Sequence, residues 1–229
     1  MSGVLAIIPA RGGSKRIPGK NLSPVAGKPL LCHTLDHVLA SKRVGRSIVS
    51  TDDPAIADVA RNAGVEVVIR PAKISGDTAT SESALIHVLD QEKKDPGLVV
   101  FLQATSPVRR RFDIDRAIDQ FEKEGVDSLF SACENNKLLW REGRTGPEPV
   151  NYDYRSRKRE QEFQTEYREN GSIYVFTPAL LRKEKCRLGG KIGVYLMPEW
   201  ASFQVDRPWE VRQIEWILQE QSRLEMEES

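Results

Sequence analysis

The sequence predicts an α/β protein: a doubly wound, mainly parallel sheet with a small inserted subdomain. Three observations predict it. Short apolar runs alternate with stretches of helical periodicity over the first two-thirds of the chain, which is the pattern of βαβ crossovers. The apolar runs lack polar alternation, so they suit strands covered on both faces. From about residue 134 to 170 the chain turns polar, charged and broken by Gly and Pro, which marks an insertion and not a core element.

The elements follow in order. Residues 4–8 read as a first strand between Gly3 and Pro9. Leu31, Leu35, Val38 and Leu39 then stand at i, i+4, i+7 and i+8, the stripe of an amphipathic helix. A second strand at 47–50 runs into Thr51-Asp52-Asp53-Pro54, where an aspartate caps a helix that proline opens. That helix carries Ile56, Val59 and Ala60 and stops at Asn62-Ala63-Gly64, a glycine-terminated end. A third strand covers 65–69. A helix over 81–91 turns Leu85, Val88 and Leu89 inward, and a fourth strand covers 98–103. A helix over roughly 113–124 and a fifth strand at 126–132 follow. Beyond the insertion, strands at 172–176 and 192–197 lead to a last helix from about Pro208, with Val211, Ile214, Ile217 and Leu218 facing in. A length of 229 residues suits one domain over 1–229 that carries the insertion.

Composition excludes several classes. Hydrophobic residues make up 39% of the chain, too many for a disordered protein. Lys plus Arg is 34 and Asp plus Glu is 33, so coating nucleic acid is not its work and any basic site is local. Cys32, Cys133 and Cys186 are far apart, without metal spacing or a disulfide framework; buried thiols in a reducing compartment are expected. No stretch approaches the roughly 20 apolar residues of a membrane span, and the first apolar run is too short for a signal peptide. The expectation is a soluble cytoplasmic protein without membrane or nucleic-acid partners.

The stretch from Pro9 to Asn21, PARGGSKRIPGKN, is the most informative segment. It follows a buried strand directly, at the edge where such sheets bind ligands. It sets Arg11, Lys15, Arg16 and Lys20 among three glycines. Glycine lets the backbone come close and aim N–H groups, the cations supply charge, and phosphate suits the combination. A Walker A loop does not fit, because the spacing from Gly13 to Gly19 is one residue too long and Asn21 replaces the hydroxyl. The dinucleotide pattern G-x-G-x-x-G is also absent.

The stretch IIPARGGSKRIPGKN (7–21) resembles the signature of the CMP-acylneuraminate synthetases, the cytidylyltransferases that activate sialic acid and its bacterial relatives. The resemblance continues in family order through STDDPAIADVARNAGVEVVIRP (50–71), DTATSESALIHVL (77–89), LQATSP (102–107), ENGSIYVF (169–176) and QVD (204–206). It covers most of the chain. It implies a nucleotide-diphospho-sugar transferase-like, Rossmann-like fold, with CMP passing from CTP to the anomeric hydroxyl of a nine-carbon 2-keto sugar acid and pyrophosphate leaving. Such a step needs positioning and charge neutralisation.

By that resemblance Arg11 and Lys20 match the catalytic triphosphate cations, and Ala10, Gly12, Ser14, Lys15 and Asn21 match nucleotide contacts. Arg70 and Ser81 match the cytosine and ribose side. Gln103, Thr105 and Ser106, at the end of the fourth strand, face the sugar acid, with Asn170 and Tyr174 in the later segment. Arg159 and Arg168 are both candidates for the sugar carboxylate, while the cations of 155–168 also suit a solvated arm. The resemblance implies Mg2+ as cofactor and a homodimer whose contacts lie in the 134–170 arm.

Three positions depart from the family pattern. Glu160, beside Arg159 and Gln161, stands where an arginine is usual, and Gln164 where a proline is common. Gln204 replaces the first aspartate of a D-x-D pair, leaving Asp206 as the magnesium residue; Asp206 also suits capping the last helix. His33, His37 and His87 read as structural or exposed, and Asp52 and Asp53 as helix caps. Two other readings stay open: a cytidylyltransferase for an eight-carbon 3-deoxy-manno-octulosonate-type acid, and a CTP-binding module without catalysis.

Overall fold

The computed structural model describes residues 3–156, 159 and 165–227. Its central sheet contains β1 (Val4–Pro9), β4 (Val44–Thr51), β5 (Glu66–Ile69), β6 (Leu98–Leu102), β7 (Ser128–Glu134), β10 (Tyr167–Phe176) and β11 (Ile192–Leu196). Two small hairpins stand apart from it, β2 (Pro24–Val25) with β3 (Lys28–Pro29) and β8 (Trp140–Gly143) with β9 (Gly146–Pro149). The strand order is β11-β7-β10-β6-β1-β4-β5. Within this sheet all pairings are parallel except those of β10, which runs antiparallel to both β6 and β7.

The helices are α1 (Leu30–Ala40), α2 (Pro54–Asn62), α3 (Ser81–Gln91), α4 (Asp113–Glu124), α5 (Pro178–Glu184) and α6 (Pro208–Glu227). They cover both faces of the sheet, and β1 shows why its sequence is uniformly apolar. Ala6 and Ile8 pack into a core shared with α1, α2, α4 and α6, whereas Leu5 and Ile7 pack into a second core with α3 and α5. A strand whose side chains alternate between two buried faces has no place for a polar residue.

Local signals set the element ends. Asp53 caps α2, its side chain accepting from the N–H groups of Ala55 and Ile56, with Pro54 as the first helical residue. Thr80 caps α3 by accepting from the Ser83 N–H. No helix among the described residues is long and apolar enough to cross a membrane.

Several expectations need correction. Leu39 is 51% exposed, because α1 ends one residue later and its last turn leaves the apolar stripe. The insertion ends earlier than about 170, since β10 begins at Tyr167 and Tyr167 to Glu169 already pair with β7. Of the three thiols only Cys133 is buried; Cys32 is half-buried and Cys186 is exposed on the turn after α5. Arg157, Lys158, Glu160, Gln161 and Gln164 lie outside the described residues.

Candidate functional site

An open cleft of about 290 Å3 lies beyond the carboxyl ends of β1, β5 and β6, where a doubly wound sheet leaves room for a ligand. Arg11, Ser14, Lys20 and Asn21 of the glycine-rich loop line it. So do Arg70, directly after β5, and Ser81 at the start of α3. Gln103, Thr105 and Asp206 complete the expected residues that meet there.

The loop is shaped by bonds between distant residues. Asp52 accepts the Gly12 N–H at 3.0 Å, and the Asn21 amide donates to the Arg11 carbonyl at 2.9 Å. Gly19, at φ +64°, opens the helical turn that carries Lys20. Gly12 is required by a close approach: a Cβ there would stand 2.5 Å from an oxygen of Asp53, the carboxylate that caps α2.

The cations do not stand alone. Lys20 Nζ donates to the Val205 carbonyl at 2.8 Å and to Asp206 Oδ1 at 2.9 Å. Val205 is itself docked, its N–H on the Thr105 carbonyl at 2.8 Å. Arg11 and Lys15 reach Asp77 instead. Arg70 differs from all of these. It is 6% exposed, yet its Nε and Nη2 are buried without a hydrogen-bond partner. Burial pulls its pKa below the ordinary arginine value, with the Asp52 charge opposing and Arg11 adding to the shift.

A network of amides and carbonyls forms the remaining wall. Gln204 Nε2 and Ser106 Oγ both donate to the Asn170 carbonyl, at 2.8 and 3.2 Å. Gly171, at φ +68°, lets the Gln103 and Gln204 side chains in; a Cβ there would meet their heads at 2.5 and 2.6 Å. Arg109, fully buried, donates to the Gln103 and Ser172 carbonyls and to the Thr34 hydroxyl. It ties the residue after β6, which lines the cleft, to β10 and α1.

Other expected residues are placed elsewhere. Ala10 is buried with its N–H on the Ser50 carbonyl, so it anchors the loop. Lys15 and Arg16 are exposed and do not line the cleft. Asn170 is buried, its carboxamide accepting from Ser131 Oγ and donating to Ser202 Oγ, because it closes the bend in β10. Tyr174 is buried against Phe101, stacked at 5.2 Å, with its hydroxyl bonded to Glu169. Ser106 is buried too. Arg168 turns to Cys133 Sγ and Glu199, and Arg159 is exposed outside the cleft lining. Asp52 holds the loop, and Asp53 alone makes the α2 cap.

Pro9, Ala79, Thr80, Phe101, Ala104 and Gln204 also line the cleft, and Asp52, Asp77 and Arg109 support it. Thr80 was within reach of a capping rule, standing just before the α3 pattern; Asp77 opens the 77–89 segment, which does not mark its role, and Arg109 carries no local signal.

A magnesium ion fits the donor chemistry. Asp206 is the acidic side chain among the described cleft residues, and 44% of it is exposed. Magnesium needs only one or two carboxylates when phosphate oxygens and waters fill its octahedron. Among the described residues no three His, Cys, Asp or Glu side chains gather into a cage, so the protein's share of such a site is one carboxylate.

The family model described as cytidylyltransferase matches residues 5–217. The chain belongs to the cytidylyltransferase family. It is 34% identical to an N-acylneuraminate cytidylyltransferase of Oncorhynchus mykiss, covering 91% of this chain and 49% of that protein. It is also 34% identical to a CMP-N,N'-diacetyllegionaminic acid synthase of Legionella pneumophila, covering 95% and 94%. This family member thus spans about half the length of the fish relative and nearly all of the bacterial one. Two solved structures share its fold. One is a CMP:2-keto-3-deoxy-manno-octonic acid synthetase complexed with CTP, with TM-score 0.73, 19% identity and coverage of 96% and 100%. The other is a 4-diphosphocytidyl-2C-methyl-D-erythritol synthase from Anaerococcus prevotii, with TM-score 0.70, 13% identity and coverage of 95% and 96%.

Proposed function

We propose that this chain transfers CMP from CTP to the anomeric hydroxyl of a nine-carbon 2-keto sugar acid and releases pyrophosphate. Arg70 is the observation that carries the reading. Its guanidinium is buried at the cleft with two nitrogens unpartnered, and a buried donor left unpaired is costly. Cytosine presents acceptors at O2 and N3, which such donors satisfy. The glycine-rich loop beside it brings Arg11 and Lys20 to one cleft, as a triphosphate requires. The nine-carbon acid is supported by the relatives' names, one an acylneuraminate and one a diacetyllegionaminate enzyme.

In this reaction the oxygen of the sugar's anomeric hydroxyl attacks the α-phosphorus, and the hydroxyl proton is lost to solvent. The bond from that phosphorus to the bridging oxygen breaks, and pyrophosphate leaves with the electron pair. Arg11 and Lys20 neutralise the charge that develops on the α-phosphate and on the leaving group. Gln103 and Thr105 hold the acceptor sugar at the far end. Asp206 would hold a magnesium ion, and such an ion would supply further charge neutralisation. Arg168 and Arg159 are the candidate partners of the sugar carboxylate.

A homodimer belongs to the same reading. The β8–β9 arm exposes Leu139, Trp140 and Val150, and apolar groups gathered on a protruding arm suit a partner copy. A cytoplasmic location also belongs to it, since an exposed free thiol such as Cys186 persists where thiols are kept reduced.

The test is direct. Purified protein is given CTP, magnesium and a panel of sugar acids, and pyrophosphate release is followed. Turnover with a nine-carbon acid, abolished by EDTA, is the expected result. Turnover with the eight-carbon acid alone moves the assignment to that substrate, and CTP binding without any turnover leaves a binding module.

A further inference from the structure

Arg11 and Lys15 share one carboxylate. Arg11 Nη1 stands 3.4 Å from Asp77 Oδ1, and Lys15 Nζ stands 2.7 Å from Asp77 Oδ2. Arg11 Nη1 also donates to the Gly76 carbonyl at 3.1 Å. Gly76 and Asp77 lie between β5 and α3, in the segment that runs from Arg70 to Ser81. One carboxylate therefore joins the glycine-rich loop to the segment that brings Arg70 and Ser81 to the cleft.

Among the described residues the partners of the Asp77 carboxylate are these two cations. The Asp77 side chain is 50% exposed and that of Lys15 is 76% exposed. The hydrogen bond from Lys15, followed by the charges of Lys15 and Arg11, keeps the Asp77 carboxyl below the usual carboxylate range. Exposed ion pairs are weak and exchange readily. A polyphosphate that reaches Arg11 and Lys15 meets a resident anion that is easy to displace but always present.

We propose that Asp77 is the site's own competing anion: it occupies Arg11 and Lys15 when no polyphosphate is bound, yields them to the nucleotide, and retakes them as pyrophosphate leaves. Asp77 then sets how tightly the loop grips polyphosphate. This weakens CTP binding modestly and speeds release of pyrophosphate, the product that would otherwise hold these cations longest. A ligand whose single phosphate does not reach the two cations escapes the competition. The inference rests on the nucleotide reading above.

Calorimetric binding of inorganic pyrophosphate, CTP and CMP to the wild-type chain, Asp77→Asn and Asp77→Glu tests it. Asparagine keeps the shape and removes the charge. It should tighten pyrophosphate and CTP about two- to fivefold, the scale of an exposed ion pair, and leave CMP unchanged; glutamate should behave as wild type. A purely structural role for Asp77 predicts the opposite sign. Weaker or equal pyrophosphate binding by Asp77→Asn therefore overturns the proposal and leaves the nucleotide reading standing. A wild-type chain that binds neither CTP nor pyrophosphate overturns both.

Discussion

Arg70→Met should make the ligand-free protein more stable and the nucleotide complex weaker. Each buried donor without a partner costs about 1–3 kcal/mol, and Arg70 has two such nitrogens. The Asp52 charge offsets part of that cost, and methionine gives up some of the guanidinium's packing. The net gain is about 1–3 kcal/mol, in line with replacing an uncompensated buried charge by an apolar side chain. For a chain of this length that raises Tm by about 2–12 °C. CTP affinity should fall about 10- to 150-fold, the loss of a hydrogen bond made by a charged group. Differential scanning calorimetry without ligand gives the first quantity, and titration with CTP gives the second. A variant that melts lower than wild type while binding CTP equally well would show that Arg70 is a packing residue, and the cytosine assignment would fall.

Three further outcomes follow from other contacts. Lys20→Ala should cut turnover by about 100-fold or more if Lys20 stabilises the leaving group; a near-wild-type rate contradicts that role. Gly171→Ala puts a Cβ 2.5 Å from Gln103 Oε1 at a positive φ. It should cost about 1–3 kcal/mol in a thermal melt and raise the sugar acid's KM, with the Kd for CTP within about twofold. His37 is held neutral by burial chiefly, with Arg109 and Lys28 adding, its pKa pulled down to about 3. From pH 6.5 down toward 3 the unfolded chain binds a proton that the folded one refuses, so stability is full above 6.5 and lost across that window. Between pH 7 and 5 the loss is about 1–2 kcal/mol after allowance for its partial exposure. Urea melts at the two pH values should show a smaller loss in His37→Gln, and an equal loss refutes the assignment.

Much of the fold was legible because its signals are local. The apolar runs of β1 and β6 and the Asp53-Pro54 start of α2 each depend on a few neighbouring residues. The cleft's position was legible too, since a cationic glycine-rich loop that follows a parallel strand has to lie at the carboxyl edge. The sugar end was harder. Asn170 and Tyr174 stand in a recognisable segment, but whether a side chain faces a cleft or a core depends on the bend of β10 around Gly171 and on what packs behind it. The insertion boundary failed for the same reason: Tyr167 and Glu169 are polar, yet they pair with β7.

By itself the sequence determined the alternation of strands and helices, the caps, and a loop whose charge and glycines suit phosphate. Each arises from propensity and periodicity over a handful of residues, which a linear reading captures. The tertiary structure alone decided the antiparallel insertion of β10 between β6 and β7, and the pairing of Lys20 with Asp206, of Arg11 with Asp77 and of Gly12 with Asp52. Those partners are 40 to 186 residues apart in the chain. No local spacing encodes such contacts; the packing of the two buried faces of the sheet brings them together.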